Sequence, residues 1–193
     1  SSKKIKELPG SGQAQDLGQA LEIGVADSDE AAKEQMFVGI NYNQNLKAAE
    51  ECLKLVRDSG GNGIILKCDV AINKSVKDMF NEFLDKAGTI DGVFNNAGIT
   101  GPISSIQDLS PEDLKMVIDT NISGAFYVAR ETARVMIPQK SGTIVNMSSI
   151  AADIGGGGEF VHYAMSKGAI HSLTYGMAKE LGKFGIRVNA VAP

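Results

Sequence analysis

The sequence predicts an α/β fold: a single domain built on a doubly wound parallel sheet with helices on both faces. Three observations lead there. Short β-rich apolar runs alternate with longer amphipathic stretches along most of the chain. The short runs are apolar without strict alternation, as expected of strands buried on both faces. Glycine is abundant, with 22 in 193 residues, as many strand-to-helix turns require. A chain of this length supports one core rather than two, and it has neither an internal repeat nor a long linker.

Met36-Phe37-Val38-Gly39-Ile40 reads as the first clear strand. Residues 45–58 follow as a helix, with Leu46, Ala49, Leu53 and Val56 at helical spacing and Gly60-Gly61 as the stop. Ile64-Ile65-Leu66 is the next strand, ending at Cys68-Asp69-Val70. Asn73 is expected to cap a helix carrying Val76, Met79, Phe80 and Phe83, which Gly88 closes. Val93-Phe94 is a short strand leading into Asn95-Asn96-Ala97-Gly98. Ser110-Pro111-Glu112-Asp113 supplies a Ser cap, Pro at the first helical position and acids in the first turn, and the helix is expected to end near Met136, before Pro138. Residues 143–147 are a strand, 162–181 a helix and 186–191 a strand.

A net charge of −4 argues against a nucleic-acid surface, which needs a basic excess. No apolar run approaches the ~20 residues needed to cross a bilayer. Ser1-Ser2-Lys3-Lys4 is basic but lacks the apolar core of a secretory signal. Cys52 and Cys68 have neither metal-ligand spacing nor His companions, so no metal site is expected. They read as reduced, mostly buried thiols of a cytoplasmic protein.

The chemistry concentrates late in the chain. Tyr163 and Lys167 stand four residues apart, roughly one helical turn, so phenol and ammonium share one helix face. A cation beside a phenol favours the phenolate. Moving a tyrosine from about 10 to near neutrality needs roughly 4 kcal/mol, within reach of a partly buried lysine helped by a cationic cofactor. Such a tyrosine can exchange a proton with an alcohol or carbonyl oxygen, and the Ser149 hydroxyl can hold that oxygen. His162, beside Tyr163 in sequence but about 100° away around the helix, reads as wall or surface. Gly155-Gly156-Gly157-Gly158 reads as a lip at the substrate mouth, since no Lys-Ser/Thr follows at phosphate-loop spacing.

In order and spacing, Asn95-Asn96-Ala97-Gly98, Asp119-Thr120-Asn121-Ile122-Ser123-Gly124, Asn146-Met147-Ser148-Ser149, the Tyr163/Lys167 pair and Gly185-Ile186-Arg187-Val188-Asn189-Ala190-Val191-Ala192-Pro193 resemble the short-chain dehydrogenase/reductase family. The resemblance runs from about residue 36 to the end. The glycine-rich approach to Tyr163 is most similar to glucose and sugar-alcohol dehydrogenase-like members. It implies a Rossmann-like domain that interconverts a secondary alcohol and a ketone with NAD or NADP. Tyr163 would be the general acid/base, and Lys167 would lower its pKa and bond the nicotinamide ribose. Ser149 would fix the substrate oxygen, and Asn121 would hold a water linking Lys167 to solvent. A mid-helix Asn followed by Gly124 is also a poor helix interior on physical grounds. Ser149 is preferred to Ser148 because the family's serine is the second of the pair.

For the cofactor, Asp69 and Val70 would meet the adenine, and Asn96 with Gly98 would let backbone pass close to the dinucleotide. Ser11-Gly12-Gln13-Ala14-Gln15-Asp16-Leu17-Gly18 lines up with the family's glycine-rich phosphate loop, with Gly12 and Gly18 as matches. Asp16 replaces a glycine there and would repel a pyrophosphate. Residues 1–10 are too polar for a central strand, and residues 1–35 are expected to be an altered stretch rather than a sign of lost function. The family also continues past Pro193 with a substrate-covering loop and a final strand. After the second strand, Asn41-Tyr42-Asn43-Gln44 offers neither an acid for the ribose of NAD nor an arginine for the phosphate of NADP, which leaves coenzyme choice open with a lean to NADP. The rival readings are a nicotinamide-dependent epimerase or dehydratase and a non-catalytic cofactor-sensing protein on the same fold. A serine hydrolase is set aside because no Gly-x-Ser-x-Gly elbow occurs.

The helices over 111–136 and after Tyr163 are apolar around much of their girth, through Met116, Val117, Ile118, Ile122, Phe126 and Tyr127 and through Ile170, Leu173, Tyr175 and Met177. One sheet face cannot cover so wide a stripe. By resemblance these helices pack on symmetry mates, so a homo-oligomer, a tetramer, is expected.

Overall fold

The computed structural model of the chain describes residues 22–25, as backbone, and 36–193. Gly12, Asp16 and Gly18 lie outside the described residues. Six strands form one sheet: β1 (Glu22–Val25), β2 (Phe37–Tyr42), β3 (Asn62–Lys67), β4 (Gly92–Asn95), β5 (Gly142–Met147) and β6 (Ile186–Val191), in the order β3-β2-β1-β4-β5-β6. β2 pairs parallel with β3, and β4, β5 and β6 pair parallel in turn. The parallel expectation has one exception: β1 runs antiparallel to both β2 and β4. Only residues 26–36 separate β1 from β2, short for the helical crossover that a parallel neighbour requires.

Helices cover both faces. α1 (Leu46–Asp58) lies on one, where Ala49 and Leu53 pack with Val38 and Ile40. On the other, α2 (Asn73–Ala87), α4 (Ala125–Gln139) and α6 (Val161–Leu181) enclose the larger core, which includes Leu66, Val76, Phe80, Phe83, Val93, Val128, Met136 and Ile144. Burying each such side chain contributes about 1.5–3 kcal/mol. Gly39 is required by this packing: a Cβ there would stand 2.6 Å from Phe83 Cδ2.

Local chemistry sets most helix ends. The Asn45 side chain accepts from Ala48 N–H at 3.0 Å to cap α1, and Gly88 closes α2 with φ 75°. Asn73 does not cap α2 as expected. It is the first helical residue, and its side-chain oxygen accepts a bond from Arg130 Nη2, joining α2 to α4. α3 (Pro111–Ile118) starts at the Ser110 cap, whose Oγ accepts from Asp113 N–H at 3.0 Å.

The rod expected over 111–136 is not uniform. α3 passes through a wide π-helical turn, Asp119–Gly124, before α4. Gly124 lets that turn press on the segment that follows β3, since a Cβ would meet Val70 Cγ2 at 2.9 Å. α4 also runs past Pro138 to Gln139, because Gln139 clasps the Ile90 backbone, accepting from its N–H at 3.3 Å and donating to its carbonyl at 2.9 Å. Beneath the site, Asn95 Nδ2 donates to Asn146 Oδ1 at 3.1 Å, and Asn146 Nδ2 donates to Thr174 Oγ1 at 2.9 Å, tying β4, β5 and α6 together.

Candidate active site

The segments that leave the carboxyl ends of β3, β4 and β5 meet α6 and the π-helical turn on one side of the sheet, the side where open α/β sheets hold their ligands. α6 follows the glycine-rich stretch and short helix α5 (Ala151–Ile154), and Phe160 precedes its first turn. Tyr163 is half-buried on α6, and Lys167, one turn on, is 4% exposed. The ammonium of Lys167 stands 5.7 Å from the centre of the Tyr163 ring and donates to the Met147 carbonyl, at the end of β5, at 2.8 Å. Among the described residues no carboxylate pairs with it. Burial alone drives its pKa down from 10.5 to about 8. The ammonium is therefore still mostly protonated at neutral pH, and it keeps N–H donors beyond the one given to Met147.

Asn121, 1% exposed, points inward from the π-helical turn. Its Oδ1 accepts from Ile99 N–H and its Nδ2 donates to the Ile99 carbonyl, both at 2.8 Å; Nδ2 also donates to Ser166 Oγ at 2.9 Å. Both amide N–H groups are thus engaged, and a lone pair of Oδ1 is what the side chain still offers a water. Ser166 in turn donates to the Tyr163 carbonyl at 2.7 Å. Gly98 lies against this pair: a Cβ there would stand 3.3 Å from both Asn121 Oδ1 and Lys167 Nζ.

The two serines after β5 differ. Ser148 is buried and donates to the Lys167 carbonyl at 3.1 Å, which holds α6 in place. Ser149 is partly exposed, and its Oγ accepts from Ala151 N–H at 3.2 Å, leaving its own proton free to donate. Asp69 is half-buried; its Oδ1 accepts from Ala71 N–H at 2.9 Å in a local turn. Val70 is fully buried against Gly124. Asn96 is half-buried at the turn after β4.

Of the sequence-predicted residues, Asn121, Tyr163 and Lys167 come together around Gly98. Ser149 follows β5 at the same end of the sheet, and Asp69 and Val70 follow β3, with Val70 touching the π-helical turn. Sequence reasoning missed Ser166 and the Ile99 backbone, and of the two readings it gave His162, wall or surface, burial leaves the first. That side chain is not at the surface: it is 5% exposed, with Nε2 3.1 Å from the Thr100 carbonyl. Nothing in the spacing marks these partners, which come from segments far apart in the chain.

A family model described as short chain dehydrogenase matches residues 17–193. An uncharacterized oxidoreductase of Escherichia coli K12 is 38% identical over 174 residues, covering 89% of this chain and 70% of that protein. Glucose 1-dehydrogenase 2 of Bacillus subtilis is 32% identical over 177 residues, covering 91% and 68%. The crystal structure of an NAD+-bound xylitol dehydrogenase superposes with a TM-score of 0.74 at 36% identity, covering 80% of this chain and 60% of that one. The chain spans between 50% and 70% of the length of such curated relatives. Among the described residues no helix is long and apolar enough to cross a membrane. With these matches and the strand order of the sheet, the chain belongs to the short-chain dehydrogenase family.

Proposed function

We propose that the protein is an NAD(P)-dependent oxidoreductase that interconverts a secondary alcohol and a ketone, with Tyr163 as the proton carrier. One observation carries this reading: the buried Lys167 ammonium, free of any carboxylate among the described residues, is fixed beside the Tyr163 ring by the Met147 carbonyl. This sets a phenol that can exchange a proton and an ammonium with N–H groups to spare one helical turn apart at the same end of the sheet.

The residues present fit a dinucleotide. Gly98 presents bare backbone beside Lys167, whose remaining N–H groups suit ribose hydroxyls. Asn41, at the end of β2, has a buried Oδ1 with no partner among the described residues, an acceptor for a hydroxyl. Asp69, Val70, Asn96 and Gly98 would border the cofactor, with Gly12 and Gly18 at its phosphates. The nicotinamide, when bound, supplies or accepts the hydride. Tyr163 gives the proton to the nascent alkoxide or takes it from the alcohol, Ser149 donates to that oxygen, and Lys167 stands beside the phenol ring with N–H groups left to donate. Asn121 keeps the Gly98–Ile99 backbone in place and offers Oδ1 to a water.

The Asn41 amide donates to the Leu66 and Cys68 carbonyls, so only its Oδ1, an acceptor, is left to the coenzyme and no cation stands here for a 2′-phosphate, which keeps the choice between NAD and NADP open. The substrate is a small alcohol or ketone. A sugar or polyol is favoured by the likeness to glucose and xylitol dehydrogenases. Cys52 and Cys68 form no disulfide among the described residues, in keeping with a cytoplasmic protein. Met116, Phe126, Met165 and Tyr175 stay exposed along α3, α4 and α6, which supports assembly through these helices into a homotetramer.

The test is spectrophotometric: NADPH or NADH oxidation with a panel of ketones and ketoses, and the reverse with polyols. Coenzyme-dependent turnover that Tyr163→Phe removes is expected. Sedimentation at micromolar concentration checks assembly, and a stable, active monomer would reject the tetramer.

A further inference from the structure

The backbone of residues 98–101 is held in series by site side chains. Gly98 lies against Asn121 and Lys167, and Ile99 pairs twice with Asn121. The Thr100 carbonyl then faces His162 Nε2 at 3.1 Å. Gly101 turns in the left-handed region with φ 74°, where a Cβ would meet Val117 Cγ2 at 2.7 Å and His162 Nε2 at 3.1 Å. Farther on, Ser104 N–H donates to the Glu159 carbonyl at 3.1 Å, so the same strip reaches the lip that precedes α6. The strip thus begins beside Lys167 and ends beside Glu159, just before the first turn of α6, which carries His162 and Tyr163.

A carbonyl can only accept, so Nε2 of His162 carries the proton. Protonating Nδ1 would leave that bond intact, which makes His162 a donor in either charge state. Stability gives little reason for it. Thr100 itself is exposed, and Ile99 beside it is already secured by Asn121. What a buried imidazole adds is a fixed position for the Thr100–Gly101 turn.

We propose that His162 is a positioning residue that pins the Thr100–Gly101 turn to the first turn of α6, setting the wall of the substrate mouth next to Tyr163. The inference rests on the reading of Tyr163 given above. It assigns His162 no proton transfer.

The experiment compares His162→Leu, His162→Gln and Gly101→Ala with the wild type and Tyr163→Phe, measuring kcat and KM for the alcohol, coenzyme affinity by fluorescence and the pH profile. A glutamine amide can reach where Nε2 stands and donate to Thr100. His162→Gln is expected to stay within about threefold of wild-type kcat/KM with an unchanged pH profile. His162→Leu should lose about 10- to 100-fold, as a misplaced site wall does, with coenzyme affinity within about twofold. Gly101→Ala, which displaces the same turn by another route, should lose a similar amount and keeps the test decisive where the leucine variant does not fold. Wild-type kcat/KM in both His162→Leu and Gly101→Ala overturns the proposal, as does a glutamine variant as impaired as the leucine one. Full activity of Tyr163→Phe would instead overturn the site reading on which it rests.

Discussion

Asn121 and the backbone of Ile99 form a closed pair, with N–H to Oδ1 and Nδ2 to carbonyl both at 2.8 Å. This pair joins the π-helical turn to the segment after β4, and Ser166 carries it on to Tyr163. A wide helical turn is uncommon and concentrates at functional sites. Here it aims one amide at a loop that would otherwise have unpaired backbone groups.

Asn121→Ala removes three hydrogen bonds and leaves Ile99 and Ser166 partners behind. A loss of about 2–4 kcal/mol is expected in urea unfolding, together with at least a tenfold fall in turnover. Wild-type stability in this variant would mean that water replaces the amide without penalty.

Lys167 makes stability depend on pH. Its pKa is about 8 in the folded chain against 10.5 unfolded, so between those values the unfolded chain binds more protons and stability rises with pH. The full contribution is present above 10.5 and is lost as pH falls through 8. Lys167→Met lacks this term. Its advantage over the wild type in unfolding free energy should shrink by about 3 kcal/mol from pH 7.5 to 10.5, read as paired denaturation curves. A constant difference would show that the ammonium is better solvated than its burial implies.

Gly39→Ala places a methyl 2.6 Å from the Phe83 ring. Overpacking of this kind costs about 1–3 kcal/mol, and Phe83→Leu in the same chain should recover part of it. Additive losses in the double variant would show that the two residues are not in contact.

What the sequence made legible is local. Strands β2 to β6 follow from short apolar runs, and α3 begins where Ser110-Pro111 requires it. Tyr163 and Lys167 were visible because one helical turn fixes their relation regardless of the rest of the fold. β1 was not, since Glu22–Val25 holds only two large apolar residues and gains its place from pairing with β2 and β4. Asn73 looked like a cap and is instead a partner of Arg130, 57 residues away. Likewise His162 meets Thr100 across 62 residues and Asn121 meets Ile99 across 22, relations that no spacing encodes. Asn121 stood out as an awkward helix residue, while the turn that accommodates it emerged only with the packing of Gly124 on Val70.

The central claim is that Tyr163 moves the proton. It is tested most directly by Tyr163→Phe, assayed for turnover with NAD(P)H and a reactive ketone and, in parallel, for coenzyme binding by fluorescence titration. Turnover should fall by roughly 10²–10⁴-fold while coenzyme affinity stays within about twofold, because only the phenolic oxygen is removed. A variant that keeps more than about a tenth of wild-type turnover would contradict the claim, since general acid–base catalysis accounts for more than that.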